Sequence, residues 1–259
     1  MKAFLLAAGF GKRMGDLTIA RPKPLLPVRG VPLIYFSLYQ LYRWGVESAL
    51  INLHYLGGQI EAALRDFPHF PLHFSHEPEI LGTAGGLRKA LDLGYLAANE
   101  WCVLLNPDTI FSPTAQDAPP TGAELERLDA DALLYLKPRA QADDTTGFVF
   151  SASEAAKDLI QMHSDGDHYY IGYGIVRGGS VGHLPADHFA ELGPIWRIAG
   201  EQGRLRGREF SGMVRDAGTR DAYIRLLNDD PHWHPVQPEL QNEWREFLAG
   251  WTTFESVSE

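Results

Sequence analysis

Cysteine is almost missing. Cys102 stands alone in 259 residues, which excludes an internal disulfide and suits a reducing compartment. Its neighbours Trp101, Val103, Leu104 and Leu105 read as strand interior, so a core thiol is expected there rather than a nucleophile. No apolar stretch approaches the roughly 20 residues that a membrane-spanning helix needs. The apolar run near the N-terminus breaks at Gly9, too short for a secretion signal. A basic excess is lacking too: the net charge of -10 argues against a general nucleic-acid binder. These absences predict a soluble, cytoplasmic protein with neither a membrane nor a nucleic-acid partner.

Several catalytic signatures are also absent. No convincing Ser-His-Asp or Cys-His set offers a nucleophile. A P-loop requires a Gly-Lys-Ser/Thr ending that the chain does not have. A dinucleotide fingerprint requires a third glycine where Met14 stands, and an acidic residue after the second strand, where His54 follows Leu53. A nicotinamide dehydrogenase is therefore disfavoured. His163, His168, His232 and His234 lack metal-site spacing; His232 and His234 would share a strand face, but no third ligand is evident. They read as surface or packing residues. There is no internal repeat and no low-complexity tract.

What is present is concentrated at one end. Residues 1–29 carry Lys2, Lys12, Arg13, Arg21, Lys23 and Arg29 against Asp16 alone, so the remainder holds the whole acidic excess. One basic pole on an acidic body suits capture of a small anion. Within it, the apolar run Ala3–Ala8 empties into Gly9-Phe10-Gly11-Lys12-Arg13, and Lys23 follows between Pro22 and Pro24. Gly9 and Gly11 let a backbone approach phosphate without Cβ interference. The two prolines restrict the chain around Lys23 and lower the entropic cost of ordering it.

The first half alternates strand and helix. Strands are expected at 3–8, 46–53, 72–75 and 101–105, with helices at 32–44, 58–66 and 83–93. This rhythm predicts a parallel sheet in a Rossmann-like α/β sandwich, whose ligands gather beyond the carboxyl ends of the strands. Further strands are expected at 132–137, 147–150 and 168–176, helices at 195–201 and 219–227, and a loop at 112–123. Thr219 is placed to cap the last helix. The Trp- and His-bearing tail beyond Asp230 could form an interface between copies or cover the sheet.

Taken in order, Leu-Ala-Ala-Gly-x-Gly-x-Arg-Met (6–14), Pro-Lys-Pro-Leu-Leu-Pro-Val (22–28), Glu77-Pro78 with Leu81-Gly82-Thr83-Ala84-Gly85-Gly86, Asp108, Tyr170-Ile171-Gly172 and Asp216-Ala217-Gly218-Thr219 closely resemble the signature of sugar-1-phosphate nucleotidylyltransferases. The chain is similar in length to short, single-domain members that transfer uridylyl or guanylyl groups. The resemblance implies an α/β, Rossmann-like three-layer sandwich with a mostly parallel mixed sheet, of the nucleotide-diphospho-sugar transferase or GT-A-like kind. It implies a domain over 1–228, with a nucleotide half at about 1–111 and a sugar-phosphate half at about 130–228, and a C-terminal extension at 229–259.

Residue by residue, the resemblance assigns nucleotide binding to Ala7, Ala8, Gly9, Gly11, Lys12, Glu77, Gly82 and Thr83. Arg13 and Lys23 become the catalytic cations at the phosphates. Asp108 and Asp216 become the carboxylates that share Mg²⁺, and Gly147 and Gly172 fall near the sugar phosphate. The implied partners are a nucleoside triphosphate and a sugar 1-phosphate, with a homo-oligomer left open. Three features depart from the family pattern: Pro107 before the metal aspartate, Gly15-Asp16 beside the phosphate loop, and no counterpart of the lysine that often holds the sugar phosphate. They leave a non-catalytic, ligand-binding module on the same fold as the alternative.

Overall fold

A computed structural model describes residues 1–139, 147–228, 234–249 and 251. The class is α/β, as expected, with a mostly parallel mixed sheet and helices in the connections. The chain divides into two compact units. One, the loop unit, comprises residues 3–80, 106–114 and 212–259; the other, the sheet unit, comprises 1–2, 81–105 and 115–211.

The strand Lys2–Leu5, which enters the loop unit at Ala3, neighbours Ser48–Leu53, which pairs in parallel with Leu72–His76. The first strand is shorter than its apolar run suggests. Ala7 and Ala8 are buried but have left the ladder, and both amides donate to the side-chain oxygen of Asn52. Helix Leu33–Arg43 is preceded by Pro32, which pairs with Pro27 in a small antiparallel bridge. From Leu33 to Leu41 this helix is buried at every position, Ser37 and Gln40 included. Its cover is the C-terminal helix Gln241–Ala249: Trp244 stacks on Phe36 with ring centroids 5.2 Å apart, and Trp251 stacks on Tyr35 at 3.9 Å. The described part of the tail thus covers this helix. His234 turns back onto Val236 at 3.0 Å, a packing role; His232 lies outside the described residues.

The loop unit also contains an antiparallel ribbon that the sequence pattern did not reveal, Thr109–Ser112 against Met213–Asp216. The following helix, Arg220–Asn228, has its Thr219 hydroxyl accepting the Ala222 amide at 3.2 Å, the cap expected there.

In the sheet unit the strand His168–Arg177 is central and antiparallel to both Trp101–Leu105 and Ala132–Pro138. Leu205–Glu209 adds in parallel to Ala132–Pro138, and Gly147–Phe150 pairs with Ile160–His163. Two of these strands, 160–163 and 205–209, escaped the sequence reading. So did the helix Gly122–Glu126, which begins inside the expected loop on a capping box between Thr121 and Glu124. The core stacks Tyr135 on Tyr173, with centroids 4.0 Å apart, and Cys102 is fully buried. Burial pushes the Cys102 thiol up, so it is a core thiol as expected. Among the described residues no helix is long and apolar enough to cross a membrane.

Candidate active site

The glycine-rich turn is held from behind. Gly11 adopts φ +64°, where L side chains are strained, and a Cβ there would also lie 3.0 Å from Thr18 Cγ2. The Thr18 hydroxyl donates to Gly11 O at 3.2 Å, and Met14 N–H donates to the same carbonyl at 2.8 Å. Tyr55 secures the far end by donating to Thr18 O at 2.9 Å. Gly9 is different: it is exposed, and a Cβ there would meet nothing within 4 Å. Lys12 and Arg13 are exposed beside it, with Lys12 over the ring of Phe10. Asp16 does not stand alone next to this loop, because Arg220 Nε reaches its carboxylate at 3.3 Å.

Lys23 lies in a tight turn closed by Leu25 N–H to Pro22 O and Leu26 N–H to Lys23 O. Its side chain is mostly buried. The ammonium donates to Asp108 Oδ2 at 2.5 Å and to Gly218 O at 3.0 Å. Asp108 follows the strand Trp101–Leu105, in a turn where Thr109 N–H donates to Asn106 O. Pro107 costs this turn nothing, since the amide it lacks is not the one that closes it.

The ribbon brings the second carboxylate alongside. Asp216 is the register partner of Thr109, and Ala217 N–H donates to Asp108 O at 2.9 Å. Gly218 N–H caps Asp216 Oδ1 at 3.0 Å, and a Cβ on Gly218 would sit 2.8 Å from Asp216 Oδ2. Burial and then the charge of Asp108 raise the Asp216 carboxyl above its ordinary value; Lys23, the Gly218 amide and Arg13 pull it back. Two crowded carboxylates, one of them costly to ionise, form a place that wants a cation. The donors are hard oxygens, and no group of three or more His, Cys, Asp or Glu among the described residues could hold a metal by itself. That fits a hard ion keeping water and phosphate ligands better than it fits zinc.

Glu77 is buried, with 3% exposure, and its Oε1 accepts from Asn52 Nδ2 at 2.8 Å. Lys23, Asp108, Asp216, Arg13 and the glycine loop therefore belong to one unit, with Glu77 at the back of the loop. Asn52, the link between Glu77 and the loop, was missed by sequence reasoning; its only signal is a lone amide in the apolar run Ala49–Leu53.

The remaining site candidates lie in the sheet unit. Gly82 has φ +71°, and a Cβ there would be 2.6 Å from Ala190 O. The Thr83 hydroxyl donates to Glu191 Oε2 at 2.7 Å and accepts Leu192 N–H at 2.9 Å. Both residues pin the segment 190–192. Gly147 abuts Gly166, whose carbonyl would be 2.4 Å from a Cβ, and Gly172 (φ +84°) sits in the bulge between Tyr170 and Gly174. A cavity of about 620 Å³ in this unit, lined in part by Phe150, Gln161, His163 and Glu201, includes none of the expected site residues. His163 pairs with Asp165, and His168 lies between Asp167 and Glu209.

Residues 2–144 match the nucleotidyl transferase family. The chain is 33% identical over 223 residues to N-acetylmuramate alpha-1-phosphate uridylyltransferase of Neisseria meningitidis, covering 85% of this chain and 94% of that protein. It is 30% identical over 235 residues to the protein of the same name from Caulobacter vibrioides, covering 86% and 93%. Among solved structures, UDP-glucose pyrophosphorylase from Acinetobacter baumanii superposes with a TM-score of 0.72 at 15% identity, covering 96% of this chain and 98% of that one. At that identity the likeness speaks for the fold.

Proposed function

Because the chain belongs to the nucleotidyl transferase family, we propose that it transfers a uridylyl group from UTP to an amino-sugar 1-phosphate of the N-acetylmuramate type. It is an enzyme, and its reaction class is nucleotidyl transfer to a sugar 1-phosphate with release of pyrophosphate. The choice of uracil and of the amino sugar is supported by the Neisseria relative, which is matched over 94% of its length. The carrying observation for the chemistry is the pairing of Lys23 with Asp108 beside Asp216, in the same unit as a glycine turn that is open at Gly9.

A phosphate monoester with second pKa about 6 is mostly ionised at neutral pH. Its oxygen therefore attacks the α-phosphorus without a general base. One P–O bond forms to the sugar phosphate, and the bond to the β,γ-pyrophosphate breaks, its electron pair leaving with pyrophosphate. The work left to the protein is alignment and charge balance. The amides of the Gly9–Gly11 turn and the Arg13 guanidinium face the triphosphate, and Lys23 supplies a restrained positive charge. Asp108 and Asp216 would hold Mg²⁺, which neutralises charge on the reacting phosphate. Gly82 and Thr83 are assigned to the base and ribose, and Gly147 and Gly172 to the sugar phosphate. We assign the reaction to one domain over 1–228 and to the cytoplasm.

Two of the three departures from the family pattern no longer favour a non-catalytic module, since Asp16 is paired and Pro107 fits its turn. The test is pyrophosphate release by the purified chain with Mg²⁺ across a panel of nucleoside triphosphates and sugar 1-phosphates. UTP with N-acetylmuramate 1-phosphate is expected to give the highest kcat/KM. Turnover of GTP with mannose 1-phosphate and none with UTP would overturn the choice of base and sugar.

A further inference from the structure

Asn52 is buried at 3% exposure near the end of Ser48–Leu53, and it spends both ends of its amide inside the loop unit. Its Oδ1 accepts Ala7 N–H at 2.7 Å and Ala8 N–H at 3.3 Å, while its Nδ2 donates to Glu77 Oε1 at 2.8 Å. The orientation of the amide is dictated, because two backbone donors demand oxygen on the loop side and a carboxylate demands nitrogen on the other. Glu77 is fixed in turn: its N–H donates to Leu53 O at 2.8 Å, and its carbonyl meets His54 Nδ1 at 2.7 Å.

We infer that Asn52 is a positioning residue for the reaction, holding the start of the phosphate loop through Ala7 and Ala8 and being held by Glu77. The inference deepens the proposed function and rests on it. By drawing the amides of Ala7 and Ala8 inward, Asn52 ends the strand and sets the direction in which the chain enters the Gly9–Gly11 turn. Those two amides are consequently employed in building the loop, and phosphate contact falls to the residues after them. Only an asparagine-sized amide serves. An aspartate has no donor for Glu77 and sets two carboxylates together; an apolar isostere leaves two amides and a carboxylate without this partner.

The experiment measures binding of UTP and of inorganic triphosphate by calorimetry, with KM for each substrate. Asn52→Asp is expected to weaken both ligands about 30-fold or more, since a small misplacement of such a loop is costly. KM for the sugar 1-phosphate should stay within about threefold. Asn52→Leu, which is uncharged, should show the same loss, so repulsion by a new carboxylate is not the cause. Adding Glu77→Gln to Asn52→Asp restores a donor–acceptor pair and should recover about tenfold, whereas adding it to Asn52→Leu should recover nothing. Wild-type affinity in Asn52→Leu, or equal recovery in both backgrounds, would overturn the inference. Failure of the wild-type chain to bind UTP while it binds inorganic triphosphate would overturn the choice of base and leave the loop measurement intact.

Discussion

Gly9 in the loop unit and Gly147 in the sheet unit were both read from the sequence as ligand-binding glycines, yet their surroundings are opposite. Gly9 is exposed, and a side chain there would project into open space. Gly147 is buried against the turn at Gly166, where a Cβ would be 2.4 Å from a carbonyl oxygen. The same holds for Gly82 and Gly85, closed off by Ala190 O and His188 O. Gly9 thus keeps a space open, whereas Gly82, Gly85 and Gly147 serve close packing. A motif glycine announces that a Cβ is unwelcome, without saying whether a ligand or the protein itself excludes it.

The sharpest way to break this contrast is to separate chemistry from stability within the loop unit. Asp216→Asn should lower kcat/KM by about 10³ or more, as the metal-holding role proposed for this carboxylate implies. It should also melt no lower than the wild type at pH 7.5. The Asp216 carboxyl is raised in the folded state, chiefly by burial and then by Asp108. Between its ordinary and its raised value the folded form binds more protons than the unfolded one, so stability falls as pH rises through that window. The penalty is complete above the raised value and vanishes below the ordinary one. Asn carries no such charge, so the variant's advantage in thermal unfolding should shrink as pH drops towards 4. A variant that is both inactive and markedly less stable at pH 7.5 would contradict this account.

The paired glycine test comes next in size. Gly147→Ala should cost about 3 kcal/mol in urea unfolding, as overpacking against backbone does. Gly9→Ala should change stability by less than about 0.5 kcal/mol, the usual range for an exposed site. It should nevertheless weaken nucleoside triphosphate binding about tenfold, which corresponds to about 1.4 kcal/mol. Equal destabilisation by both substitutions would erase the distinction between the two glycines.

What the sequence made legible depended on local pattern in both units. Strands 101–105 and 147–150 were read at their observed bounds, because runs such as Trp-Cys-Val-Leu-Leu leave few alternatives. The ribbon that joins Asp108 to Asp216 was not, since its strands lie about a hundred residues apart and Met-Val-Arg-Asp has no alternation to display. Strand 205–209 is Leu-Arg-Gly-Arg-Glu, and only its pairing with 132–138 makes it a strand. The candidate site was legible as a list, through resemblance, and the proximity of its members was not. Asn52 left the faintest trace, because a buried amide is informative only once its three partners are known.

The smallest expected effect concerns the edge of the phosphate loop. Arg220 lies over Gly15, its Cδ 3.9 Å from where a Cβ would be, and its Nε meets Asp16 at 3.3 Å. Both side chains are well exposed, so the pair contributes little to stability, under about 1 kcal/mol. Its consequence is electrostatic: without Arg220, the charge of Asp16 acts on an incoming triphosphate uncompensated. Arg220→Ala should therefore raise KM for the nucleoside triphosphate about threefold at low ionic strength and leave kcat alone. Because exposed charges are screened within about 10 Å at 0.1 M salt, the difference should fade as salt is added, and Asp16→Asn in the same background should abolish it. A KM increase that persists in high salt would mean that Arg220 touches the nucleotide itself, and the loop's cationic set would then have to include it.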